Sequence, residues 1–212
     1  MNEKFFDLKK EKQDRMINAA LKVFALNGYR HASTDDIVRE AAISKGLLFH
    51  YFENKLGVYA FVYDYSVRYL LLELSTVVDA KETDLFTLMQ QVETGKMHAM
   101  CGYPYLQPFL NRAQAENVNE ALVAVEERKQ QMGEAYENIY ARADLGKYAA
   151  AEDVVKLRKM MELTIKGLMN ERILEDAFQP EMLYEEILEY LQLSRRLAER
   201  SGQPSDEEIT EK

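Results

Sequence analysis

Residues 33–55 read STDDIVREAAISKGLLFHYFENK, and the spacing inside this stretch decides the fold. Ser33 and Asp36 stand as a helix-capping pair, Asp taking the place of the usual Glu, ahead of Ile37, Val38 and Ala41. Ala42-Ile43 separates this short helix from a second one capped by Ser44. In the second helix Leu48 and Phe52 lie four apart, as do Leu47 and Tyr51, so two faces carry large side chains. A helix that buried only one face would not need Lys45, His50, Tyr51 and Lys55 around its other sides. One face is expected in a core and the other against a partner.

Upstream, Met16, Ala19, Ala20, Val23 and Phe24 recur at threes and fours, which predicts an amphipathic helix from Leu8 to Leu26. Asn27-Gly28 closes it, glycine suiting the left-handed residue at a helix end. Three helices with a tight turn between the last two outline a helix-turn-helix unit, the second helix of the motif being the one that reads. Asn54 caps a long helix running to about Val78. Further helices are expected at about Asp84–Met100, Tyr103–Ala115, Asn119–Ala143, Ala151–Glu175 and Pro180–Arg200. Pro104, Pro108 and Pro180 suit first-turn or boundary positions. The chain therefore reads as all-α with about nine helices: residues 1–55 a three-helix unit, 56–202 a larger helical domain, and 203–212 a polar tail.

Composition narrows the function classes. The 212 residues are 47% hydrophobic and 30% charged, ordinary for a folded domain. Residues 1–55 carry a balance of +2 and the rest −11, a mildly basic head on an acidic body. With one cysteine, Cys101, there is no internal disulfide framework. Cys101 is expected to be a small buried hydrophobe. None of His31, His50 and His98 follows a glutamate at three residues' distance, as a helical di-iron site requires. No phosphate-binding loop, dinucleotide fingerprint or nucleophile elbow is present. The chain is therefore expected to be no enzyme and to need no cofactor or metal. The opening MNEKFFDLKKEK lacks the apolar core of a secretion signal, which gives a cytoplasmic expectation.

From Arg15 to Lys55 the chain resembles the tetracycline-repressor (TetR) family of bacterial transcription regulators. The resemblance rests on Ala19, Ala20, Phe24, Gly28-Tyr29, Asp36-Ile37, Ala41, Ser44-Lys45-Gly46, Tyr51-Phe52 and Lys55. It implies an N-terminal DNA-binding domain joined to a ligand-binding and dimerisation domain. It further implies Ser33 and Thr34 at a phosphate, Ser44 among the DNA-binding residues, and Lys45, Gly46 and Leu47 at the major groove. Lysine can donate to guanine there, glycine lets the backbone approach, and leucine can meet a thymine methyl. His50, Tyr51 and Lys55 would grip the DNA backbone. Three positions depart from the family pattern. Ala42 replaces glycine in the turn, Leu47 replaces a small or hydroxyl residue, and Phe49 replaces tyrosine and is assigned to the core.

In the last two long helices apolar residues occupy more than one row: Val154, Leu157, Met161 and Leu168 beside Met160, Leu163 and Gly167, and Leu183 and Ile187 beside Leu188 and Leu191. A single core needs a narrower stripe. Either these helices are central in their own domain, or one face meets a second subunit. The resemblance implies the latter, a homodimer through this pair. Met97, Met100, Cys101, Tyr103, Phe109, Tyr136 and Tyr140 offer a soft, aromatic lining for a largely apolar small molecule. The expected protein is a ligand-responsive repressor that binds a pseudo-palindromic double-stranded DNA operator. The alternative is a helical ligand carrier or interaction module that has lost specific DNA binding.

Overall fold

The computed structural model describes residues 3–148, 150–174 and 178–200, and these form nine α-helices with no strand among them. The helices are α1 (Lys10–His31), α2 (Thr34–Glu40), α3 (Lys45–Phe52), α4 (Lys55–Val77), α5 (Leu85–Gly102), α6 (Leu106–Gln114), α7 (Asn119–Tyr140), α8 (Ala151–Arg172) and α9 (Pro180–Arg200). The polar tail and Glu175, the predicted end of the eighth helix, lie outside the described residues. No helix among the described residues is long and apolar enough to cross a membrane.

Helix ends follow the local chemistry. Ser33, Ser44, Asn54 and Asp84 each accept a hydrogen bond from a first-turn amide: those of Asp35, Leu47, Gly57 and Thr87. The reciprocal half of the Ser33–Asp36 pair is replaced, because the Asp36 carboxylate takes the Arg39 guanidinium instead. Gly28, with φ 69°, breaks α1 at the end expected from the sequence, but a last turn continues to His31 beyond the kink. Ala42 also has positive φ, 51°, so the turn between α2 and α3 tolerates its β-carbon in a conformation that costs an L-residue roughly 1–2 kcal/mol.

Two hydrophobic clusters hold the chain together. The first runs without interruption from the head into the body: Phe24 of α1 meets Tyr59 of α4 edge-on at 5.0 Å, and Tyr59 meets Phe109 of α6 at 5.5 Å. A short 3-10 turn at Glu3–Asp7, not anticipated from the sequence, plugs Phe5 against Tyr51, Phe52 and Phe61. The second cluster joins α5, α8 and α9 through Phe86, Met89, Met161, Ile165, Leu183, Ile187 and Leu191. Each such side chain contributes roughly 1.5–3 kcal/mol on burial.

Phe49 departs from its expected place. It is half-buried and outside both clusters, since Leu48 and Phe52 fill the inward face of α3. Cys101 is exposed rather than buried, its thiol 3.5 Å from the Met97 sulfur and 3.3 Å from the Glu181 carboxylate. Burial on one side and Glu181 beside it push that thiol up from its ordinary pKa.

Candidate DNA interface and body cavity

The first turn of α3 is open to solvent. Ser44, Lys45 and Gly46 are exposed, and a β-carbon added at Gly46 would meet nothing within 4 Å. Lys45 Nζ lies 2.8 Å from Asp35 Oδ1, which ties the start of α3 to the start of α2. Both side chains are more than half exposed, so the bridge is worth at most about 1 kcal/mol and yields readily to a competing anion or base edge. Leu47 is half-buried beside them, and His50 is exposed with its ring edge-on to Tyr51 at 4.9 Å. Tyr51 is half-buried and leans on Phe5. Ser33 and Thr34 are half-buried, and the Ser33 hydroxyl caps α2 at 3.0 Å from the Asp35 amide. All of these candidate residues lie on the two short helices α2 and α3 or at their caps.

Lys55 is employed differently from the expectation. Its ammonium donates to the carbonyls of Tyr29, Ala32 and Arg30 at 2.8, 3.2 and 3.4 Å and sits 4.4 Å from the centre of the Tyr29 ring. It thus satisfies the free carbonyls at the end of α1 and fastens them to the start of α4. Sequence spacing could not reveal this, because the partners lie 23 to 26 residues upstream.

Head and body also meet at polar contacts. The Glu116 carboxylate, at the end of α6, accepts from the amide of Tyr29 at 2.9 Å and from those of Asn117 and Val118 at 2.9 and 3.0 Å. Burial pushes the Glu116 carboxyl up, but the three amides and the nearby Arg112 outweigh it and hold its pKa below the ordinary value. On the other side Tyr103 donates to Asp14 at 2.6 Å, accepts from Lys10 at 2.9 Å, and lies 2.6 Å from the Tyr65 hydroxyl.

The body holds a cavity of about 460 Å³ between α5, α6, α7 and α8. Of the seven residues expected to line it, Tyr136 and Tyr140 do. The other five are elsewhere. Tyr103 belongs to the Lys10–Asp14 contact, Phe109 to the first core, Met100 to the second, and Met97 and Cys101 face the beginning of α9. The lining is also more charged than a soft aromatic set. Lys96 Nζ is 2.7 Å from Glu93 Oε1, both side chains largely buried at 17% and 6% exposure. Burial alone would lower the Lys96 pKa; Glu93 and the neighbouring tyrosines overcome that and raise it. Arg158 lies 4.4 Å over the Tyr140 ring and 3.1 Å from Glu162, while Lys166 donates to Gln114 at 3.0 Å. The signal in the sequence was a glutamate and a lysine three apart on α5, among otherwise apolar inward positions.

Similarity to known proteins lies in the head and in the fold. Residues 16–60 match the bacterial regulatory proteins of the tetR family. Over 78 residues the chain is 36% identical to the uncharacterized HTH-type transcriptional regulator YuxN of Bacillus subtilis (strain 168), a stretch covering 35% of this chain and 26% of that protein. Over 49 residues it is 41% identical to the uncharacterized HTH-type transcriptional regulator TtgW of Pseudomonas putida, covering 23% and 37%. The chain therefore spans well under half the length of these curated relatives. Among solved structures, a TetR family transcriptional regulator from Chloroflexus aurantiacus J-10-FL superposes with a TM-score of 0.55 at 23% identity, covering 94% of this chain and 93% of that one. The TetR family regulator PfmR of Thermus thermophilus superposes with 0.54 at 18% identity, covering 86% and 97%. Both share the fold, helical body included.

Proposed function

We propose, from the match of residues 16–60 to the tetR family of bacterial regulatory proteins, that the chain is a DNA-binding transcriptional repressor, homodimeric and released from its operator by a small molecule. The observation that carries the reading is the open first turn of α3, where Lys45 and the unobstructed Gly46 stand clear of the core. Gly46 lets the backbone come close to a base edge, and Lys45 exchanges a weak surface bridge for a guanine or phosphate. Ser33, Thr34, Ser44, Leu47, His50 and Tyr51 complete the contact face. Lys55 supports it from behind.

A two-fold protein suits a two-fold operator. On α8 the exposed apolar row is Met160 and Leu163 with Gly167, and on α9 it is Met182, Leu193 and Leu197, each of these large side chains 45–61% exposed. The inner rows, Val154, Met161, Ile165 and Met169 with Leu183, Ile187 and Leu191, are already used in the body's core. The outer rows are therefore the interface we assign to the second subunit.

The test is fluorescence anisotropy on duplexes flanking the protein's own gene against random duplexes, over a salt series. A specific site bound more tightly than random DNA is expected. Lys45→Ala should erode that preference by about 1–3 kcal/mol. Equal affinity for both duplexes at every salt concentration would overturn the repressor reading in favour of a helical ligand carrier.

A further inference from the structure

The cavity's polar groups are arranged in an order that has one direction. Asn111 Nδ2 donates to the Met169 thioether sulfur at 3.2 Å. A thioether can only accept, so this contact fixes which end of the Asn111 amide faces α8. Its Oδ1 is then turned to Gln107, whose Nε2 donates to it at 2.9 Å. The remaining Gln107 carbonyl oxygen, Oε1, is buried without a hydrogen-bond partner, on a residue only 6% exposed that lines the cavity. The Tyr136 hydroxyl, also in the lining, is the second buried oxygen there without a partner. Two orphaned oxygens beside one cavity are costly in a folded chain, and a ligand that satisfies them recovers that cost.

Charge is arranged to the opposite effect. Three carboxylates, Glu93, Glu137 and Glu162, balance three cations, Lys96, Arg158 and Lys166, in the lining. The innermost cation is already paired with Glu93, and Arg158 with Glu162. A charged ligand set against Lys96 or Arg158 would have to break one of these pairs. An uncharged one need not. The walls left to it are the rings of Tyr136 and Tyr140 and the sulfurs of Met89, Met132 and Met169, which favour an aromatic guest.

We propose that this cavity binds an uncharged aromatic molecule carrying an O–H or N–H donor, delivered to Gln107 Oε1, with the Tyr136 hydroxyl completing the contact. The proposal rests on the reading of the body as the sensor and adds the chemical class of what it senses.

Four biphenyl probes of matched shape separate charge from hydrogen bonding by calorimetry on the full chain: 4-phenylphenol, 4-methoxybiphenyl, biphenyl-4-carboxylate and 4-(aminomethyl)biphenyl. The phenol should bind roughly tenfold or more tightly than each of the other three, the factor expected for one satisfied buried hydrogen bond. Gln107→Met, which keeps the length of the side chain, should reduce 4-phenylphenol to the level of the methoxy probe. Tyr136→Phe should weaken it to a smaller extent, and this second variant keeps the test open if Gln107→Met fails to fold. The proposal is overturned if the carboxylate or the ammonium binds as tightly as the phenol, if no probe binds, or if a folded variant leaves the preference for the phenol intact. Titration of the operator complex with 4-phenylphenol separates the two readings. Binding that leaves operator affinity unchanged removes the sensor function while this assignment of ligand class stands.

Discussion

Replacing Lys55 by methionine separates two jobs that one lysine at the edge of a DNA-binding head can do. The ammonium holds three carbonyls at 2.8–3.4 Å and the face of Tyr29 at 4.4 Å. A cation at a partly buried helix C-terminus is worth up to about 2 kcal/mol. Its contact with the ring adds about 0.5–1 kcal/mol. Water replaces part of this because Lys55 is only half-buried, so a net loss of about 2 kcal/mol is expected, the methionine keeping the packing of the stem. For a chain of this size that corresponds to a fall in Tm of roughly 4–8 °C.

The DNA side of the experiment is the salt dependence of binding, measured well below the lowered Tm. Each phosphate that a variant ceases to neutralise reduces the slope of log K against log salt by about 0.9. Lys55→Met should leave that slope unchanged, whereas Lys45→Met should flatten it or relax sequence choice while leaving Tm nearly where it was, because the Lys45–Asp35 bridge is exposed. Differential scanning calorimetry and anisotropy on the two variants decide the matter. A Lys55 variant with unaltered Tm and a slope reduced by about one would refute the supporting role and return Lys55 to the phosphate backbone.

Glu93→Gln should destabilise the body by about 3 kcal/mol, since it leaves the Lys96 ammonium buried without its carboxylate; denaturation with urea checks this, and Glu93→Gln combined with Lys96→Met should recover most of the loss. Leu193→Glu, on the exposed row of α9, should give a folded monomer by light scattering with weakened operator binding, whereas Leu191→Glu, in the core, should unfold the body. On alkaline titration burial holds Tyr63 and Tyr148 up to about 12, with Glu126 and Asp84 adding to the effect. A folded-state pKa above the free value means that stability is whole below about pH 10 and is lost as pH rises toward 12. Absorbance at about 295 nm should therefore show Tyr63 and Tyr148 ionising only as circular dichroism reports unfolding.

What could be read from the sequence was local. Ser33, Ser44 and Asn54 cap helices because a cap needs only a side chain and an amide two or three residues on. The head was legible for the same reason, its chemistry lying within the stretch from Ser33 to Lys55. On α8 the split between Met160–Leu163–Gly167 and the row of Val154 and Met161 was likewise visible, and burial shows which row faces outward. Cys101 was misread, and the packing of Phe5 and the carbonyl contacts of Lys55 were missed, because their neighbours come from distant segments: α9, the α3–α4 pair and the end of α1. The cavity suffered most. Four helices supply its wall between residues 89 and 169, and no spacing rule on one helix could bring Glu93, Gln107, Tyr136 and Arg158 together.

Helix α6 joins what was legible to what was not. Gln107, Asn111 and Gln114 recur at four and three, so one face of this nine-residue helix meets the cavity. Phe109 packs on Phe24 of α1, while Arg112 lies against Gly28, where its guanidinium comes within 3.2 Å of where a β-carbon would be. Just past its end Glu116 holds the amide of Tyr29, and the carbonyl of Tyr29 is held in turn by Lys55, at the first residue of the helix that follows the reading motif. A molecule that bonds Gln107 therefore acts on a helix whose most extensive packing is against α1 of the head, through packed rings and charge-assisted hydrogen bonds rather than through a loop. On the proposed reading as a ligand-released repressor, linkage lets that molecule lower operator affinity only as far as it prefers the arrangement of α6 in the DNA-free state, and a preference of about 3 kcal/mol would lower it more than a hundredfold. Glu116 and Lys55 lie on one path between that helix and the reading motif. That is why a lysine expected to touch DNA is better placed one step behind it, where the position of α1 relative to α4 is set.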